Sequence, residues 1–394
     1  MTTPLPVAKP EDVGLAGAAL ERLSLALQER VARRHVPGAV ALIARHGKVA
    51  YHEAFGARDP ASGAPMQIDS IFRIYSMTKP IVSVAVMMLW EQGRLTLGDP
   101  IDKYIPEFAE TKVGIVQGNM MHLAPPAQPI TVQDLLRHTS GLTYEFRGAT
   151  PVHKAYAEAK VARLRQTNAD QAATLAKLPL LFQPGTRWEY SRSTDVLGRL
   201  IEVISGQSLG EFLSERILRP LNMTDSGFWV PEPKQGRLTE AFSRDPESGT
   251  DVQLLDVCRP AIFESGGGGM VSTAMDYARF MQMLLNGGTL DRVRLLGRKT
   301  LELMTSDHLG KIEGSPDLLA PGHGFGLGFA VRLEPGVAPF PGSVGNYFWG
   351  GAAGTSFWVD PTERLTAVLM IQAPGQREHY RVLFRDLVYA AVTD

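Results

Sequence analysis

Apolar residues follow two different rhythms along this chain. Near the N-terminus they form two short β-rich runs, "GAVALIAR" and "KVAYHEAFG", joined by His46-Gly47. A glycine-containing break between two such runs predicts a hairpin. The texture returns in the last quarter as "GFGLGFAVRLE", "SVGNYFWGG", "TSFWVD" and "RLTAVLMIQ", separated by Pro, Gly and Asp-Pro-Thr-Glu. Elsewhere the period is helical. Leu20, Leu23, Leu25, Leu27 and Val31 lie among charges and predict an amphipathic helix over residues 14–34. The chain closes on "REHYRVLFRDLVYAAV", with the same periodicity.

Between about residues 76 and 315 the pattern predicts short helices and long loops. "VQDLLRH", "DVLGRLIEVISG", "LGEFLSERILRPL", "TAMDYARFMQMLLNGG" and "RKTLELMTSD" each end at Gly, Pro or polar residues. The stretch "VGIVQGNMMHLAPPAQPI" reads as one long loop. Two strand-rich ends flanking a helical middle predict an α+β protein in which both ends join one antiparallel sheet. Residues 1–75 and 315–394 would form that lobe, and residues 76–314 a mainly helical second one.

Composition narrows the function classes. The 394 residues carry a net charge of -1, which gives no reason to expect nucleic acid or an anionic membrane as partner. One cysteine, Cys258, excludes an intrachain disulfide and a cysteine-built metal cluster. The longest candidate, Ile81 to Trp90, stops at Glu91, short of a membrane span. Glu11 and Asp12 fall where the apolar core of a secretory signal would lie, so a cytoplasmic location is the expectation.

Against this background "RIYSMTKPIVSVAVMML", Arg73 to Leu89, places a hydroxyl and an ammonium at the mouth of an apolar helix. Residues three apart share a helix face, so Lys79 can reach Ser76. A serine hydroxyl becomes a useful nucleophile when a neighbouring base takes its proton. The helix N-terminus offers free N–H groups to an oxyanion, and its positive end disfavours a charged lysine. To act as a neutral base at pH 7, Lys79 would have to shift by roughly three units, about 4 kcal/mol. Taken alone, the same spacing fits an N-cap serine with a snorkelling lysine.

Two further stretches complete a site. "LFQPGTRWEYSRSTDVLG" brings Tyr190 to the start of a helix, where its phenol could share a proton with Lys79. "NYFWGGAAGTS" ends a strand on Gly350-Gly351, exposing backbone along which a substrate can lie. The N–H of Ala352 could then pair with that of Ser76 as an oxyanion hole.

These stretches, with "LLRHTSGL" (Leu135 to Leu142), "PGTRWEYS" (Pro184 to Ser191), "GGGGMVSTAMDYARF" (Gly266 to Phe280) and "GFGLGFAV" (Gly324 to Val331), occur in an order that resembles the serine β-lactamase and penicillin-binding-protein superfamily. The likeness is greatest to class C β-lactamases and family VIII carboxylesterases, and runs from about residue 12 to 392. It implies a β-lactamase-like fold with the site between two lobes, no cofactor and no metal. It assigns Ser76 as acylated nucleophile, Lys79 as activating amine and Tyr190 as tyrosine base or relay. Trp349-Gly350-Gly351 would stand where β-lactamases carry K-T-G, and Ala352 would give the second oxyanion N–H. Tyr144, just beyond the "LLRHTSGL" turn, would line the cleft mouth. Two departures point away from lactams. Trp349 replaces the cation that holds a lactam carboxylate, and Tyr190-Ser191-Arg192 lacks the asparagine of Tyr-x-Asn. The expected substrate is therefore a small neutral ester.

Three other features invite competing readings. Gly206-Gln207-Ser208-Leu209-Gly210 fits G-x-S-x-G but lies between two helical stretches, so it reads as a helix–helix junction. Gly266–Gly269 lacks the Lys-Ser/Thr of a phosphate loop and reads as a close approach of two backbones. His138 is expected to satisfy backbone groups at its turn.

Overall fold

The computed structural model describes residues 4–118, 120–312 and 317–394. The expected lobe boundary at residues 314 and 315 lies outside them.

The strand Gly38–Arg45 is buried along its whole length, and its period of two separates two cores. Ala39, Ala41 and Ile43 belong with Leu20, Leu23 and Leu27 of the helix Gly17–Ala32, and with Tyr380, Phe384 and Val388 of the helix Arg377–Tyr389. Val40, Leu42 and Ala44 belong with Tyr277, Ala278 and Met281 of the helix Ala274–Leu285. Each buried Leu or Ile contributes about 1.5–3 kcal/mol, so the two cores clamp the sheet from both faces.

That sheet has eight antiparallel strands. Their spatial order is His323–Phe325, Ala330–Arg332, Tyr347–Gly350, Ser356–Asp360, Leu365–Ile371, Gly38–Arg45, Lys48–Asp59 and Ala64–Pro65. The two ends of the chain pair directly, from Ala39 opposite Ile371 to Arg45 opposite Leu365, as the sequence pattern predicts. His46 and Gly47 turn the first hairpin at φ 51° and 78°, the left-handed pair that a two-residue I′ loop requires.

The helical part is built around the helix Thr78–Glu91, in which every residue from Thr78 to Leu89 is buried. A helix apolar on all sides has to be enclosed. The helix Ser193–Ser205 packs on it and ends on Gly206 at φ 76°. Two residues later Ser208 caps the next helix, Leu209–Leu213. Its Oγ accepts from the Glu211 N–H, and the Glu211 carboxylate accepts from the Ser208 N–H. The G-x-S-x-G stretch is thus a helix junction with a capping box.

The expectation of one long loop over residues 113–130 is corrected. Val113–Gln117 and Met120–Ala124 form a small antiparallel hairpin. Its apolar residues do not alternate cleanly because neither face is fully covered: Ile115, Met120 and Leu123 are all exposed. Among the described residues no helix is long and apolar enough to cross a membrane.

Candidate active site

Ser76 lies in a 3₁₀ turn, Tyr75–Met77, that feeds directly into the helix Thr78–Glu91. Pro80 fits the first turn of that helix, where its missing N–H leaves no bond unmade. The entry is tightly wound. Tyr75 sits at φ 43°, in the left-handed region, and its phenol accepts from the Leu255 N–H at 3.0 Å. Two glycine runs press on this turn. A Cβ on Gly351 would come 2.4 Å from the Ile74 carbonyl oxygen, and one on Gly268 would touch Tyr75 at 3.6 Å. Gly266 likewise leaves room for the Thr194 carbonyl, so this run does bring backbones together.

Lys79 is the hub. Its Nζ donates to Ser76 Oγ at 3.2 Å, to Tyr144 Oη at 3.1 Å and to the Gly267 carbonyl at 2.6 Å. The same nitrogen stands 4.4 Å from the centre of the Tyr190 ring. Tyr190 Oη accepts from Trp349 Nε1 at 3.2 Å. Trp349 in turn packs on Tyr190 and Phe325, with ring centres 5.2 and 5.3 Å away. Ser76, Lys79, Tyr190 and Trp349 therefore converge, as their motifs predict. Gly350 and Gly351 follow on the same strand end, where Arg381 Nη2 donates to the Gly351 carbonyl at 2.6 Å. Ala352 is exposed at the tip of the turn beyond.

Tyr144 lies deeper than a cleft-mouth residue. It is buried, with its hydroxyl on Lys79, and Phe146 stacks on its ring at 4.9 Å. His138 also departs from expectation. Its ring pairs with a side chain, Ser191 Oγ at 3.2 Å, and packs on Tyr190; the turn is served by its main chain, whose N–H donates to the Leu135 carbonyl, while its carbonyl accepts from the Glu189 N–H.

Electrostatics correct one expectation outright. Burial does act to lower the Lys79 pKa, but the Tyr144 and Tyr190 phenols outweigh it and hold the amine above the ordinary lysine range. Enclosure alone would favour a neutral amine; enclosure beside two phenol groups favours the cation. Burial pushes Tyr144 up to about 12, against the pull of the Lys79 charge. Burial and that same cation drive His138 well below the usual histidine value.

Gly267, Asp195 and Arg192 are site residues that motif reading misses. The Gly267 carbonyl holds Lys79, its N–H donates to buried Asp195, and Arg192 lies 4.6 Å from the centre of the Tyr144 ring. The spacing Arg192-x-x-Asp195 at a helix start was the available signal.

A serine-bearing turn, a buried lysine and two tyrosines beside a glycine-ended strand form a set that suits acyl transfer. The profile of the Beta-lactamase family matches residues 23–390. The chain belongs to the beta-lactamase family. It is a serine hydrolase of that fold. Esterase EstB of Burkholderia gladioli is 33% identical over 397 residues, covering 95% of this chain and 96% of that protein. Protein Rv1367c of Mycobacterium tuberculosis is 38% identical over 345 residues, 85% of each chain. Among solved structures, EstCE1, a hydrolase with promiscuous acyltransferase activity, superposes with a TM-score of 0.80 at 27% identity, covering 94% of this chain and 99% of that one. Within the beta-lactamase fold, the indole of Trp349 joins Tyr190 and Phe325 in an aromatic cluster beside Lys79.

Proposed function

We propose that the protein is a carboxylesterase that hydrolyses short-chain carboxylic esters through an acyl-Ser76 intermediate. The observation that carries this reading is the 3.2 Å contact between Lys79 Nζ and Ser76 Oγ, made by an amine that is otherwise fully enclosed. Ser76 Oγ attacks the acyl carbon, and its proton passes to the Lys79–tyrosine set, which titrates as a unit. Because Lys79 is held as a cation beside protonated phenols, the set becomes the acceptor once it has lost one proton, as a tyrosinate of Tyr190 or Tyr144 or as the neutral Lys79 amine. The N–H groups of Ser76 and Ala352 face the tetrahedral oxyanion. The alcohol leaves with the proton, and a water molecule repeats the sequence to release the acid. Trp349, Gly350 and Gly351 shape the acyl site, and a neutral indole there favours an uncharged ester over a carboxylate-bearing lactam.

Incubation with a fluorophosphonate should give a single adduct on Ser76. An adduct on Ser208, or none, overturns the assignment. Rates on nitrophenyl acetate, butyrate and laurate should fall with chain length, and should exceed the rate on a chromogenic cephalosporin. Equal rates on acetate and cephalosporin would remove the esterase reading. Transfer to a small alcohol is the second reading, favoured by the likeness to EstCE1. Product analysis with added alcohol separates transfer from hydrolysis.

A further inference from the structure

The contacts around Lys79 close into a ring. Lys79 Nζ donates to the Gly267 carbonyl, and the Gly267 N–H donates to Asp195 Oδ1 at 2.9 Å. Asp195 Oδ2 lies 3.5 Å from Arg192 Nη1. The Arg192 guanidinium covers the Tyr144 ring, and Tyr144 Oη returns to Lys79 at 3.1 Å. All four side chains are buried, at 1% exposure for Lys79, 2% for Asp195, 6% for Tyr144 and 8% for Arg192. The ring is thus shielded from bulk water.

We propose that Arg192 and Asp195 are positioning residues for the acyl-transfer reaction: Asp195 fixes Lys79 over Ser76 through the Gly267 backbone, and Arg192 fixes it through the Tyr144 ring. The inference rests on Ser76 and Lys79 acting as proposed above. Each half has a physical reason. A lysine is a flexible four-carbon stem, and its amine stays over one hydroxyl only if its other acceptors are immobile. Gly267 lies in a run of four glycines, the most freely moving backbone available. Asp195 removes that freedom by accepting both the Gly267 N–H and Ser265 Oγ, the latter at 2.6 Å.

The other half starts from Tyr144, whose ring stacks on Phe146 at 4.9 Å and lies 5.5 Å from that of Tyr190. Arg192 ties it to the helix Ser193–Ser205 by stacking, while its Nη2 donates to Glu145 at 2.8 Å. A planar guanidinium can stack and donate at once, which an asparagine cannot do at that reach. The arginine in Tyr190-Ser191-Arg192 thus replaces a substrate contact with a support for the machinery.

The test uses the full-length chain and the variants Asp195→Ala, Asp195→Asn, Arg192→Met and Arg192→Lys. Stoichiometric fluorophosphonate labelling counts competent sites, so turnover of nitrophenyl acetate can be expressed per labelled Ser76. Displacement of a catalytic group by about 1 Å costs on the order of 10²-fold. Asp195→Ala and Arg192→Met should approach that loss in kcat per site, with KM little changed and an altered pH–rate profile. Asp195→Asn, which still accepts the Gly267 N–H, and Arg192→Lys should recover much of the rate. The proposal is overturned if per-site kcat and the pH profile stay within about twofold of the parent, even where thermal stability drops. If a variant does not fold, its conservative partner decides by the same criterion. Failure of the parent to label at Ser76 would instead strike the underlying assignment.

Discussion

Lys79 Nζ bridges Tyr144 Oη, at 3.1 Å, and Ser76 Oγ, at 3.2 Å. One buried amine thereby couples a phenol to the nucleophile. Tyr144→Phe keeps the stacking with Phe146 and Arg192 and removes a single acceptor. A hydrogen bond to a charged group contributes about 1.5–3 kcal/mol. We expect kcat on nitrophenyl acetate to fall about 10- to 100-fold, with KM unchanged within a factor of about two. A kcat equal to that of the parent would show that Tyr144 only packs.

Trp349 makes two separable contributions, an indole N–H on Tyr190 and aromatic packing. Trp349→Phe keeps the packing and should cost about 1 kcal/mol, roughly fivefold in rate. Trp349→Lys restores a cation where a lactam carboxylate would need one. The ratio of cephalosporin to acetate turnover should then rise about tenfold or more, as a charge-assisted contact predicts. An unchanged ratio would mean that substrate choice is set elsewhere in the cleft.

Ser208 offers the contrast with Ser76. It caps a helix through the reciprocal pair with Glu211, away from Lys79. Ser208→Ala should lower unfolding stability by about 1 kcal/mol and leave ester turnover intact. Ser76→Ala should abolish turnover and labelling with little effect on the fold. Loss of activity in Ser208→Ala, with the protein folded, would reverse the two assignments.

Much of this was legible in the sequence, for identifiable reasons. The continuous apolar character of "GAVALIAR" and "RLTAVLMIQ" is local, and two runs buried on both faces leave few places but the middle of one sheet. Ser76, Lys79 and Tyr190 were legible because each belongs to a motif of fixed spacing. The hairpin Val113–Gln117 with Met120–Ala124 was not, since its exposed Ile115 and Leu123 blur the alternation that marks a strand. The protonation of Lys79 was read from the positive helix end alone: Tyr144 is 65 residues away in sequence, and only the fold reveals that its phenol favours the charged amine. The Gly267–Asp195 contact spans 72 positions and involves a backbone N–H, which no residue pattern encodes.

The charge state of the hub predicts the pH dependence of turnover. Lys79 is held above the lysine range and Tyr144 at about 12, so the base form arises only as protons leave that set. Between pH 6 and about 9, kcat/KM on a non-ionising ester should therefore rise with pH and not level off. A profile with an acid limb near 6.5 and a plateau above it would place a histidine in the mechanism, contrary to the geometry.

Folding stability should show the opposite kind of group, one that resists protonation in the native state. His138 is enclosed by Tyr190, Trp188 and Phe325, and burial together with the Lys79 cation keeps its pKa well below 6.5. The unfolded chain has no such restraint, and there the ring takes up a proton near 6.5. As pH falls below that value the unfolded state binds more protons than the native one, and stability declines by up to about 1.4 kcal/mol per pH unit for this one group. The decline ends where the native pKa is reached, and above pH 7 the group has no effect. His138→Gln keeps a partner for Ser191 and removes the titration. Urea unfolding of parent and variant between pH 8 and 5 should give coincident slopes above about 7 and diverging ones below, with the parent losing about 1 kcal/mol more per unit. Parallel losses below pH 6.5 would mean that His138 takes up its proton without unfolding, and that the Lys79 charge does not reach it.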